Sequence, residues 1–109
     1  MIKIKIPLTV SLAKRAGKVV SGESAVKDAI RFKKAKLVLL SCDSSANTKK
    51  SILNSCTYYN VKCITAGTME ELGHAIGNNF NAVIAICDTG FAKSIENAIS
   101  TNINGGDVL

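Results

Sequence analysis

Two unbroken apolar runs constrain this chain more than any other feature. LVLLSC at residues 37–42 and AVIAIC at residues 82–87 lack the apolar–polar alternation of a strand with one wet face. Strands of this kind are covered on both sides, which places them in a parallel or mixed sheet inside an α/β sandwich. Residues 18–20 and the VKCIT segment at 61–65 supply two shorter strands, making four.

Helical spacing fills the intervals. Pro7 opens a pattern with Leu8, Leu12 and Ala16, ended by Gly17 as a C-terminal cap. A second helix is expected over 22–33, with Ala25, Val26, Ala29 and Ile30 on one stripe, and a third over 45–59 with Ile52, Leu53, Cys56 and Tyr59 inward. Thr68 and Glu71 form a capping box before a helix that turns Met69, Leu72, Ala75 and Ile76 to the core. Residues 77–81, GNNFN, read as a loop, and Phe91, Ile95 and Ile99 mark a last helix. With 109 residues, 47% of them hydrophobic, the chain can bury one core, expected over about residues 5–100. The tail at 101–109 has lost its periodicity and is expected to fray. Strict alternation of strand and helix implies a single-domain three-layer α/β/α sandwich with right-handed crossovers.

Charge is unevenly spread. Residues 1–50 carry 12 Lys and Arg against 3 Asp and Glu, while the remainder is net acidic. Such clustering suits a polyanion partner, nucleic acid first among them. Cys42, Cys56, Cys63 and Cys87 include no C-x-x-C pair and are expected as small buried hydrophobes, not as a disulfide frame or a metal site. Lys3 and Lys5 break the apolar character of the first residues, and no run reaches the length of a membrane span. A soluble cytoplasmic protein is expected.

Catalytic groups are sparse. His74 stands alone in a helix and is expected at the surface or half-buried; neither a G-x-G-x-x-G nor a P-loop occurs. Asp43 and Asp88 end buried strands, but each precedes a helix start, so capping accounts for both. The chain is therefore read as no enzyme, with no cofactor and no small-molecule substrate. The segment SGES, residues 21–24, attracts more interest. A helix start exposes unpaired N–H groups, Gly22 allows close approach of a sugar-phosphate backbone, and Lys18, Lys27, Arg31, Lys33 and Lys34 surround it in sequence. The plainer reading is that Ser21 or Gly22 merely caps the helix and that the cations form a solvated face.

GKVVSGESAVKDAI, AKLVLLSCDSSANTKKSI, TMEELGHAIG and AVIAICDTGFAKSI together resemble the kink-turn-binding large-subunit ribosomal protein family of the archaeal seven-Ae and eukaryotic thirty-e proteins, most of all its bacterial YlxQ-type branch. The likeness extends from about Leu8 to Ile99. It implies a thirty-e-like sandwich with a mixed four-stranded sheet, and a non-catalytic protein that grips RNA at three places. By position these are Lys18, the turn and helix start from Gly22 to Asp28, and the loop from Gly77 to Ala82. The family's Asn-Glu-x-x-Lys signature falls on Ser24, Ala25 and Asp28, none of which matches it. Serine still donates and accepts a hydrogen bond, whereas alanine removes a carboxylate and Asp28 reverses a charge.

The expected RNA-binding residues are Lys18, Ser21, Gly22, Glu23, Ser24, Lys27, Arg31, Lys33, Asn78 and Phe80. Phe80 either stacks on a splayed-out base or closes the core above Ile76 and Val83. The expected role is a ribosomal or ribosome-associated protein that binds kink-turn-like RNA, with ribosomal RNA and ribosomal proteins as partners and no membrane. The alternative is an assembly module that meets an acidic protein with its basic face. A substrate-recognition domain of the kind attached to RNA methyltransferases is a weaker third reading, because the catalytic domain is missing.

Overall fold

A computed structural model of the chain describes residues 5–108, with side chains over residues 5–100; the alternating residues 1–4 fall outside it. The elements follow in the order α1 (Thr9–Arg15), β1 (Val19–Ser21), α2 (Glu23–Arg31), β2 (Leu37–Leu40), α3 (Ala46–Tyr59), β3 (Cys63–Thr65), α4 (Met69–Ala75), β4 (Val83–Ile86) and α5 (Thr89–Val108). The sheet has the order β1-β4-β2-β3. β4 is antiparallel to both β1 and β2, and β2 is parallel to β3, so the sheet is mixed.

The unbroken apolar runs are the two central strands, and every residue of β2 and β4 is buried. Strand geometry sends their side chains alternately to two cores. Leu37, Leu39, Ile84 and Ile86 meet Val10 and Ala13 of α1, Leu72 of α4 and Ile95 and Ile99 of α5. Val38, Leu40, Val83 and Ala85 meet Val26, Ala29 and Ile30 of α2 and Ile52 and Cys56 of α3. Each core needs its own helical layer, which gives the three-layer sandwich.

Helix starts are fixed by local hydrogen bonds. Ser45 caps α3 by accepting from Thr48 N, and the expected capping box of Thr68 and Glu71 is present at α4. Asp88 Oδ2 accepts from Phe91 N at 2.9 Å in the first turn of α5. Asp43 does not cap the helix that follows it. Ser45 already holds the position next to Ala46, and Asp43 Oδ1 instead accepts from Met69 N at 2.8 Å, tying the β2–α3 turn to the start of α4.

Several expected inward positions face solvent. Leu8 and Leu12 are 84% and 52% exposed, because α1 turns its Val10–Ala13 stripe to the sheet. Periodicity alone cannot choose between two apolar stripes on so short a helix. Ala25 and Leu53 lie at the outer margins of their stripes and are exposed, and Met69 and Ala75 are half-buried. Cys42 is exposed beyond the end of β2, its N–H donating to Gly67 O at 2.8 Å in the β3–α4 connection. The backbone of residues 101–108 continues α5, where the sequence predicts a frayed tail.

Leu39 lies fully buried in the middle of the sheet. Leu39→Ala is expected to lower stability by about 2–5 kcal/mol through lost contacts and a residual cavity, read as a reduced midpoint in urea unfolding.

Candidate nucleic-acid interface

One end of the sheet assembles the segments that the sequence singles out. Gly22 N donates to Val83 O at 3.1 Å, and Ser41 N donates to Ala82 O at 2.8 Å. The start of α2 is thereby fastened to the exit of the 77–81 loop, although the two are far apart in sequence. Gly22 holds φ 92° and ψ 148°, a conformation essentially closed to other residues. A Cβ placed there would meet nothing within 4 Å, so the glycine serves the backbone conformation and leaves open space above it.

No side chain caps α2, in contrast to α3, α4 and α5. The first N–H groups of α2 therefore face outward at the positive end of the helix dipole. Ser24 is exposed beside them and Ser21 is half-buried at the end of β1. Of the two residues expected as the cap, Ser21 or Gly22, the structure has Gly22 at the N-cap position, with no side-chain hydrogen bond.

The loop is rigidly seated. Asn78 N donates to Gly73 O at 2.8 Å and Asn81 N to Met69 O at 2.9 Å. Gly73 is buried against the loop backbone, and an added Cβ would stand 2.6 Å from Asn79 O. This fold-back leaves Asn78 and Asn79 exposed and Phe80 65% exposed, so Phe80 does not close the core.

The charged residues of α2 are more committed than their spacing suggests. Ser45 Oγ donates to Thr48 Oγ1 at 3.0 Å, and Thr48 Oγ1 donates to Glu23 Oε1 at 2.9 Å, binding Glu23 to the start of α3. Lys27 Nζ donates to Ser51 Oγ at 2.8 Å across the same seam. Arg31 pairs with Asp28 at 3.0 Å and lies 4.9 Å from the centre of the Phe32 ring. Asp28, where the resemblance implies a cation, thus neutralises a neighbouring one. Lys49 and Lys50 lie in the early turns of α3, close after Thr48, and were not singled out by sequence. The signal was the pair itself, four and five residues past an N-cap serine.

Lys18 and Lys33 are elsewhere. Lys18 O accepts from Cys87 N at 2.7 Å at the opposite end of β1, about 13 Å from Gly22 at the usual strand rise. Lys33 follows the C-terminal end of α2. The structure therefore brings together Ser21, Gly22, Glu23, Ser24, Asn78 and Phe80, leaves Lys27 and Arg31 along α2, and separates Lys18 and Lys33.

His74 is exposed. Cys56 and Cys63 share a thiol hydrogen bond that holds the Cys56 pKa below its ordinary value and, with burial, pushes that of Cys63 well up. Among the described residues no group of three His, Cys, Asp or Glu could hold a metal, and no helix is long and apolar enough to cross a membrane.

Residues 5–96 match the ribosomal protein L7Ae/L30e/S12e/Gadd45 family. The chain is 45% identical over 84 residues to the RNA-binding protein YlxQ of Bacillus subtilis, covering 77% of this chain and 84% of that protein. It is 39% identical over 90 residues to the RNA-binding protein YlxQ of Enterococcus faecium, covering 83% and 86% respectively. A Bacillus halodurans protein of unknown function superposes with a TM-score of 0.84 at 33% identity, covering 90% of this chain and 99% of the other. The Giardia lamblia 15.5kD RNA binding protein shares the fold, with a TM-score of 0.70 at 17% identity over 86% of this chain and 83% of its own.

The contact at Gly73 gives a direct test of how the loop is held. Gly73→Ala is expected to cost about 1–3 kcal/mol by overpacking against the loop backbone. Amide exchange at residues 78–81 should quicken, while the central strands keep their protection relative to global stability.

Proposed function

The chain belongs to the ribosomal protein L7Ae/L30e/S12e/Gadd45 family, and from that premise we propose that it is a non-catalytic RNA-binding protein. Its ligand in this reading is a kink-turn-like element, gripped by the start of α2 and the 77–82 loop. The RNA is ribosomal, and the protein acts in the cytoplasm as a ribosomal or ribosome-associated component. The observation that carries the reading is the uncapped α2 start at Gly22, hydrogen-bonded to Val83 at the exit of a loop that presents Asn78 and Phe80. Phosphate or base-edge acceptors suit the free N–H groups, and an irregular RNA supplies the unstacked base that an exposed phenylalanine can hold. The relatives named RNA-binding proteins support the same partner class.

Recognition here relies on fewer base-reading side chains than the family signature provides. Ser24 offers a hydroxyl, Ala25 offers no carboxylate, and Asp28 is engaged by Arg31. Shape, backbone donors and stacking therefore carry specificity, while Lys27, Lys49 and Lys50 add the sequence-independent attraction to phosphate.

The test compares a kink-turn RNA with a plain duplex of equal length across a salt series. Wild type is expected to prefer the kink-turn by at least about tenfold, and Gly22→Val, which fills the approach and strains the turn, should remove most of that preference. Equal affinity for the two RNAs with a steep salt dependence would mean a generic basic surface. Absence of binding to either at low salt would leave the acidic-partner reading standing.

A further inference from the structure

We propose that the end of the domain opposite the α2 start is a second RNA contact surface, which takes a single-stranded segment of the bound RNA. The proposal rests on the RNA-binding reading above for its partner class, but on different residues.

Three of the cations that the sequence places around SGES, Lys18, Lys33 and Lys34, gather at this far end with Lys14, Arg15 and Lys36. Lys18 O accepts from Cys87 N at 2.7 Å and Lys36 N donates to Ile86 O at 2.8 Å, which puts both at the sheet end away from Gly22. Lys18 N donates to Ala13 O at 2.9 Å, drawing in Lys14 and Arg15 from the last turn of α1. Lys33 and Lys34 follow the C-terminal end of α2, and Lys36 Nζ donates to Lys33 O at 3.3 Å. None of these six cations has an acidic partner among the described residues. Asp88, which follows β4 at this end, is occupied with the start of α5.

Beside the cations runs a groove of about 500 Å³ between the C-terminal ends of α2 and α3, bordered by Lys33, Lys36, Lys62 and Tyr59. Phe32 is 62% and Tyr58 81% exposed at the ends of the same two helices. A duplex hides its base faces and has no use for such rings. A single strand offers phosphates to the lysines and base faces to the aromatics together.

Cations at a helix C-terminus also suit the helix dipole, but that explanation does not reach Lys18 and Lys36, which stand before strands. Nor does it explain Lys33, held at φ 61° where glycine or asparagine is the easier residue. Lys33 is the left-handed residue that ends α2, with Lys34 N donating to Ala29 O at 2.8 Å, and this turn sets the lysine at the edge of the basic groove.

The test measures affinity for a kink-turn RNA carrying a single-stranded tail of about 12 nucleotides, within the range that one small domain covers. The same RNA without the tail, the same RNA with a double-stranded extension, and the isolated 12-mer complete the set. The tail is expected to raise affinity at least about fivefold, the equivalent of one stacked base, and the duplex extension to raise it less. The double variant Lys33→Gly, Lys36→Gln should lose that gain, lower the salt slope for the tailed RNA by about 1.4, and leave the tail-less RNA bound as before. Lys33→Gly alone should melt at a higher temperature than wild type, so that lost binding is separated from lost fold.

A tail that adds nothing, or a gain that survives the double variant, overturns the proposal. An equal gain from the duplex extension overturns its single-stranded character. If wild type shows no kink-turn preference yet binds the isolated 12-mer through Lys33 and Lys36, the kink-turn reading fails and the second surface stands.

Discussion

Burial of β2 and β4 on both faces is the constraint from which the rest of the structure follows. Two adjacent strands with no polar outlet need a helical layer above and below, and α1, α4 and α5 on one side with α2 and α3 on the other meet that need. The sheet interior is then closed to functional side chains. Polar chemistry is displaced to the two ends of the strands, where connections must surface to keep their backbone groups hydrogen-bonded. Because α2 and α3 both connect parallel strands, their N-terminal ends gather at one pole and their C-terminal ends at the other. The fold thus sorts exposed N–H donors to one pole and a reservoir of lysines to the other.

Much of the scaffold was legible because its signals are local. Unbroken apolar runs gave the central strands, and Thr68 with Glu71 gave the start of α4. The misplacements share a different origin. Leu8 and Leu12 have the right spacing for an inward stripe, but which of two stripes faces the sheet is decided by tertiary docking. Asp43 has the right chemistry for a cap, but its partner is 26 residues away.

The same division holds at the candidate site. SGES and GNNFN were each visible in the sequence, while their junction at Gly22 and Val83 is a product of the strand order. The extended length of β1 separates Lys18 from Gly22, which adjacency in sequence had joined. The Arg31–Asp28 pair was open to inspection as an i, i+3 spacing on a helix. The tie from Glu23 to Thr48 was not, since it bridges two helices that only the sheet brings side by side.

Gly73 has a thermodynamic consequence beyond its packing. By letting the backbone at Asn79 settle directly on α4, it gives the neighbouring loop its order before any ligand arrives. Little conformational entropy is left for this segment to surrender on association. A heat-capacity change of binding larger than the buried contact area explains would therefore report the partner rearranging, with the protein acting as the template against which it is shaped.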